Sequence, residues 1–480
     1  MPVGSWFLAV ARGILYDILW IHVFCSMDPL EALSPLDGRY RDKIAELAPF
    51  FSEMGLMRYR LMVEVEYFIA LNTARAIPQF KSLKPKEVAM LRGWVEDFSL
   101  VDAQEVKQIE VTTKHDVKAI EYFLKEKIKK TPLKGLTEFI HFALTSEDIN
   151  NLAYSLMWQD ALRAVYLPSF QAVIKTLHRF AWDNRAQPML SLTHGQSATP
   201  TTVGKEIMVF VERLDRQYQQ LQHHILLGKF SGATGTWGAQ SFAVPKFDWK
   251  GFSKKFITSL GLKPNLVTTQ IEPHDSLVEQ YQTVGRINTI LIDFCRDMWM
   301  YISRGILAQE RKEGEVGSSA MPHKINPIFF ENAEGNCGMA NAILGHLAEK
   351  LPISRMQRDL TDSTVLRNQG VGMGYSLLAT QSILTAMGRI TIHKADLQKE
   401  LDEHWEVLAE PIQTLLRVKG FERPYEILKE LTRGQDITKE TLKQFILKLK
   451  LPKEEEKRLL ALTPATYTGL SSSVVTKPKT

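Results

Sequence analysis

The placement of proline constrains this chain more than any other feature. Proline inside a helix removes a backbone donor and clashes with the preceding turn. None occurs between Pro200 and Pro245, between Pro273 and Pro322, or between Pro352 and Pro411. Each interval has room for a helix well beyond the usual length of about 11–12 residues. In the first, Ile207, Val211, Leu214, Tyr218, Leu221 and Ile225 recur at spacings of three and four, and Gly228 follows as a C-terminal stop. Leu277, Tyr281, Val284, Ile287, Leu291, Phe294, Met298 and Tyr301 repeat the pattern in the second. The third opens on an Asp/Ser/Thr cluster at 361–364, suited to a helix start, and runs on through VGMGYSLLATQSILTAMGRI.

Long helices of this kind predict an all-α bundle, with apolar faces on more than one side that favour self-association. Shorter amphipathic segments flank it. The predicted organisation is an N-terminal helical domain over 27–135, a central bundle over 136–392 carrying a loop at 313–327, and a C-terminal helical domain over 393–480. The tail SSSVVTKPKT is expected to fray. Residues 1–26, MPVGSWFLAVARGILYDILWIHVFCS, match neither pattern. Arg12, Asp17 and His22 interrupt them as a membrane span, and they lack the basic start and cleavage site of a signal peptide. They read as an extension of doubtful authenticity, with the working protein starting at Met27.

Charge narrows the function. A net +5 from 59 basic and 54 acidic residues, with no basic run, is too weak for nucleic acid and compatible with an anionic small molecule. Cys25, Cys295 and Cys337 form neither a disulfide framework nor a metal pair, which points to a reduced cytoplasmic compartment.

Chemistry concentrates in a few segments. GSSAMPHKINP (317–327) places Ser318, His323, Lys324 and Asn326 between two helical runs. Lysine and asparagine two apart can both address a developing oxyanion, and a serine beside backbone amides can be held as an alkoxide. In SLTHGQSATPTT (191–202), His194 reads as a general acid at the entrance of a long helix. TTKHDVKA (112–119) and HFALTSEDINN (141–151) pair hydroxyl or imidazole donors with carboxylates, although Thr145 or Ser146 also suits a helix cap. In RDLTDSTVLRN (358–368), Arg358, Ser363 and Arg367 suit an anion. GATGTWG (232–238) lacks the spacing and βαβ setting of a phosphate loop, and His223–His224 has no companion ligands for a metal.

Together these segments resemble the fumarase/aspartase superfamily, whose signature GSSxMPxKxNP is matched in full at 317–327. Within it, SPLDGRY (34–40), HDVKAIEYFLKEK (115–127), FIHFALTSEDINN, THGQ, TTQIEPHD (268–275) and RDLTDSTVLRN are similar to the bacterial-type adenylosuccinate lyase family from about residue 31 to about 470. Two positions depart from that pattern: Lys114 stands where the family has asparagine, and Ser197 where it has proline.

The resemblance implies a central bundle that tetramerises into a twenty-helix core, with each site drawn from several subunits. It implies cofactor-independent β-elimination of fumarate, from adenylosuccinate to give AMP and from the succinylated aminoimidazole carboxamide ribotide SAICAR to give AICAR. Ser318 would be the general base, His194 the general acid, and Lys324 with Asn326 the electrophilic clamp. His115, Asp116, Thr145 and Ser146 would hold the succinyl carboxylates. Arg39, Tyr40, Ser363 and Arg367 would take the phosphate, with Thr364, Val365 and Leu366 in the same binding segment. Gln270, Asn332 and Arg358 complete the set. No metal, cofactor, nucleic acid or membrane enters this expectation. Alternatives are another lyase or a 3-carboxymuconate cycloisomerase of the superfamily, or a non-catalytic helical scaffold.

Overall fold

The computed structural model describes residues 28–310, 314, 321, 324–432 and 437–478. The N-terminal part is led by α1 (Glu53–Thr73), whose cap Ser52 accepts from Gly55 N at 3.0 Å. Helix α2 (Asp116–Lys129) and α3 (Ser146–Ala161) lean on it. A single π turn, Leu162–Tyr166, joins α3 to α4 (Leu167–Asp183).

The remaining bundle helices are α5 (Val203–His223), α6 (Asp275–Ser303), α7 (Ile328–Lys350) and, after the short α8 (Thr361–Leu366), α9 (Gln369–Met387). Packing closes into a five-helix ring: α4 on α5, α5 on α6, α6 on α7, α7 on α9, and α9 back on α4. Consecutive ring neighbours run antiparallel between α5 and α7: Arg213 reaches Asp293 while Gln217 meets Arg286, and Arg296 reaches Glu334 while Asn288 meets Asn341. The fully buried Asn288 of α6 donates to Asn341 of α7 and Ser376 of α9, both at 3.0 Å, so one amide sets the register of three helices. This all-helical bundle is the fold the proline-free intervals predict.

Three details differ from the sequence reading. Helix α5 stops at His223 because His224 turns extended; Ile225 is exposed, and Gly228 pairs with Pro264 in a two-residue parallel strand rather than capping a helix. In the third interval the run expected from 361 onward is two helices, broken at Arg367–Asn368. The tail docks: Val475 is buried, and His178 on α4 meets the Thr476 carbonyl at 2.9 Å.

Strand content is small. A hairpin, β1 (Pro188–Thr193) and β2 (Gln196–Thr202), precedes α5; β3 (Leu227–Gly228) pairs β4 (Lys263–Pro264), and β5 (Leu307–Gln309) pairs β6 (Ile390–Ile392). Beyond the main core, Leu190 of β1 joins Leu401, Leu408, Ile412, Leu416 and Leu442 in a second cluster under the C-terminal helices. Among the described residues, no helix is long and apolar enough to cross a membrane.

Candidate active site

Most of the expected site residues gather where α2, α3 and α8 meet α1. His115 caps α2: its Nδ1 accepts from Lys118 N at 3.2 Å, which leaves Nε2, 3.4 Å from Ser146 Oγ, as the protonated nitrogen of the neutral ring. Thr145 caps α3, its amide donating to Asp148 at 3.0 Å. Two helix N-termini therefore converge on the His115–Ser146 contact, a setting that favours carboxylates.

Asp116 accepts from Arg60 Nη2 at 2.8 Å and from Arg367 Nη2 at 2.9 Å, while Arg367 Nη1 reaches Glu53 at 2.7 Å. Burial pushes the Asp116 carboxyl up, but Arg60, the Val117 amide and Arg367 outweigh it and hold the group below the usual carboxylate range. Ser363 and Thr364 lie on the same short helix as Val365 and Leu366. The Leu366 side chain is buried in the core, so it offers a ligand only its backbone.

A second, deeper cluster adjoins the first. Glu147 is buried against Arg358, 3.0 Å away, and Arg358 also faces Asp362 at 3.4 Å. Two carboxylates thus share one guanidinium. Burial, with Asp362 adding to it, pushes the Glu147 carboxyl up to about 7 against the pull of Arg358. His274 is buried beside this group, and burial lowers its imidazole to about 4. Its Nε2 has no hydrogen-bond partner among the described residues.

The GATGTWG loop confirms its rejection as a phosphate cradle. The Ser231 and Gly232 amides are spent on Asp148, which also takes Lys229 Nζ at 2.7 Å, both side chains being fully buried. Gly235 has φ +72°, and a Cβ there would stand 2.1 Å from the Thr268 carbonyl oxygen. That close approach brings Gln270 Nε2 to the Ala233 carbonyl at 3.0 Å.

The other expected residues lie elsewhere. His194 and Gly195, with φ 55° and 74°, form the two-residue turn between β1 and β2, the pairing of Thr193 with Gln196 closing it. His194 is therefore at an exposed hairpin tip and not at the helix entrance the sequence suggested, because the strands carry the chain away before α5 begins at Val203. The hairpin is anchored on the C-terminal part, with Ser197 Oγ 3.1 Å from His404 Nδ1. Asn332 sits in the first turn or so of α7 and accepts from Ser382 at 2.7 Å. Lys324 and Asn326 lie just before that helix.

These residues belong to the end of the bundle where α6 finishes and α7 starts, marked by Trp299 donating to Glu331 at 3.1 Å. Arg358 and α8 follow the far end of α7, whose 23 residues span about 33 Å. Within one chain the expected residues thus form two groups at opposite ends of the bundle. Arg39 lies in the N-terminal segment with its guanidinium carbon 5.9 Å from the Tyr40 ring centre. Ser318, and with it most of the signature loop, lies outside the described residues, as does the 1–26 extension.

Sequence reasoning missed Arg60, Glu147, His274 and the Lys229–Asp148 pair. The signal for Glu147 and Asp148 was present in TSEDINN, read as donors beside carboxylates or a helix cap, without a role for either carboxylate. No cluster of His, Cys, Asp and Glu suited to a metal ion occurs among the described residues.

The fold is shared with a fumarate lyase from Mesorhizobium sp. BNC1 (TM-score 0.72, 19% identity, covering 90% of this chain and 96% of that one). It is shared too with the 3-carboxy-cis,cis-muconate lactonizing enzyme of Pseudomonas putida (TM-score 0.69, 22% identity, 90% and 95%). At such identities the likeness speaks for the fold alone, a bundle of long helices. The Lyase family matches residues 38–342 and the Adenylosuccinate lyase C-terminal family residues 354–468. Over 453 residues the chain is 52% identical to the adenylosuccinate lyase of Haemophilus influenzae, covering 94% of this chain and 99% of that one. Over 455 residues it is 51% identical to that of Escherichia coli K12, covering 95% and 100%. The chain belongs to the adenylosuccinate lyase family.

Proposed function

We propose that this chain eliminates fumarate from adenylosuccinate to give AMP, and from SAICAR to give AICAR, in purine nucleotide synthesis. One observation carries the reading: identity near one half with adenylosuccinate lyases along almost the whole chain. The cycloisomerase alternative is supported only by a fold likeness at 22% identity.

In the proposed chemistry, Ser318 takes the proton from the carbon beside a succinyl carboxylate. The electron pair left behind is delocalised into that carboxylate, where Lys324 and Asn326 stabilise the developing charge. As the C–N bond breaks, His194 gives its proton to the leaving amine. His115, Thr145 and Ser146 hold the carboxylates, with Asp116 orienting Arg367 toward the phosphate beside Arg39, Tyr40 and Ser363. Gln270, Asn332 and Arg358 complete the binding set.

The proposal includes a homotetramer with shared sites. Its support is the separation of His194, Lys324 and Asn326 from His115, Ser146 and Arg367 by roughly the 33 Å length of a bundle helix. Rigid helices cannot bring those groups together within one chain, whereas a symmetric assembly can. A division into parts at 27–135, 136–392 and 393–480 and a cytoplasmic location belong to the same reading. The decisive experiment adds adenylosuccinate to purified protein and follows the ultraviolet change, identifying fumarate and AMP as products. Failure to release fumarate under conditions where a relative does so would reject it.

A further inference from the structure

Arg60, Glu64 and Tyr67 stand four and three residues apart on one face of α1, all of them buried. Arg60 grips the starts of α2 and α3, while Glu64 and Tyr67 grip the turn before α3. Arg60 holds Asp116 at 2.8 Å and Asn150 at 2.9 Å. Glu64 Oε1 meets His141 Nδ1 at 2.5 Å, and Tyr67 donates to the Phe142 carbonyl at 2.8 Å. The last two contacts act on the turn just before Thr145 and Ser146. That turn is strained: His141 and Ala143 both have φ +54°, the left-handed region that L-residues other than asparagine and aspartate seldom adopt. Local preference does not hold it, so the contacts to α1 must.

We propose that His141, clamped on Glu64, is a positioning residue that presents Thr145 and Ser146 to a succinyl carboxylate of the substrate. The identity of that ligand rests on the lyase reading above. The groups packed around His141 call for its positive charge. Glu64 from α1, Glu121 from α2 and Asp148 from α3 all face it, although Lys118 and Lys125 are engaged by Glu121 and Lys229 by Asp148. Burial pulls the imidazole down, but these carboxylates outweigh it and raise it above its ordinary value. Glu64 is fully buried and its Oε2 has no hydrogen-bond partner among the described residues. Loss of the His141 proton would therefore leave a buried carboxylate without its counter-charge, and the strained turn without its clamp.

The test compares KM and kcat for adenylosuccinate across pH in the full-length protein, His141→Gln and Glu64→Gln. In the unsubstituted protein KM should rise on the alkaline side as His141 loses its proton, with kcat changing less. Glutamine at 141 keeps a donor toward Glu64 but not the charge. Its KM should be about tenfold higher at neutral pH, with the alkaline rise gone. Glu64→Gln should flatten the same limb. A purely structural role would lower the melting temperature and leave the KM profile unchanged, and that result overturns the proposal. Amide exchange in peptides covering 141–148, corrected for the intrinsic pH dependence, requires no variant and no turnover. Protection should fall through the same pH range; constant protection also overturns it. An unsubstituted protein inactive on adenylosuccinate would sink the lyase reading, while the exchange data still judge the His141 clamp.

Discussion

Arg60 and Arg367 approach the same oxygen of Asp116, at 2.8 and 2.9 Å. The two arginines differ in what surrounds them: Arg60 is buried, whereas about a third of the Arg367 side chain is exposed. One carboxylate thus ties a structural cation to one that a ligand can reach.

Asp116→Asn should therefore destabilise the fold by roughly 3–5 kcal/mol, the usual cost of leaving a buried cation without its partner. Urea unfolding followed by circular dichroism measures it. A change below about 1 kcal/mol would mean that Asn150 alone satisfies Arg60.

Arg367→Ala leaves the Arg60–Asp116 pair intact and should cost little stability, because partly exposed pairs contribute about 0–1 kcal/mol. Its effect belongs to binding. The ratio kcat/KM should fall at least about tenfold for adenylosuccinate and SAICAR alike, since both carry the ribose phosphate. Loss on one substrate only would remove Arg367 from the phosphate site.

Complementation tests the shared site. His194→Ala and Ser318→Ala should each lose about 10²–10⁴-fold or more in turnover. Mixed, partly unfolded and reassociated, they should regain roughly a quarter of the activity if exchange is complete and the groups come from different chains. Inactive hybrids, verified by native mass spectrometry, would place both groups on one chain.

The Glu147–His274 cluster predicts two opposing pH effects. Glu147 titrates near 7 in the fold against a reference of 4.5, so its contribution to stability falls as pH rises from about 4.5 to about 7. His274, lowered from 6.5 to about 4, gives a contribution present above 6.5 and lost as pH falls through 4. Glu147→Gln should remove the first and expose the second. Its melting temperature should then climb with pH between about 4 and 6.5 more steeply than that of the unsubstituted protein. An unchanged profile would mean that Arg358 keeps Glu147 ionised throughout.

Gly235→Ala should cost more than the about 1–2 kcal/mol that a left-handed backbone costs a residue with a Cβ, because the new methyl meets the Thr268 carbonyl. Moving that strand of chain moves Gln270, so KM should rise with the loss of stability. Wild-type KM in a destabilised variant would take Gln270 out of the binding set.

Sequence periodicity was enough to find α6, whose apolar positions from Leu277 to Met298 are all buried as the spacing requires. It failed at the hairpin. PMLSLTHGQSATPTT contains no Val, Ile, Phe, Tyr or Trp, and Leu190 is buried against the C-terminal helices more than two hundred residues away, a partner no local window contains. The same limit hid the deep charges. TSEDINN reads locally as a helix start, which Asp148 does serve, yet the side chain's main partners are Lys229 and the amides after it. The segments carrying His115, Ser146, Arg358 and Arg367 stood out because each sets donors or cations beside carboxylates, and their roles came from the family resemblance. What those residues cost to hold in place was not.

The Lys229–Asp148 contact carries a consequence for how the molecule is made. Its partners are separated by 81 residues and both end with no exposure to water. An ammonium and a carboxylate give up their hydration only when the alternative partner is already waiting. Contacts this distant along the chain are also slow to close. During refolding, the helices of the bundle should regain their circular dichroism first. Catalytic competence should lag, arriving with the final expulsion of solvent between the start of α3 and the loop after β3.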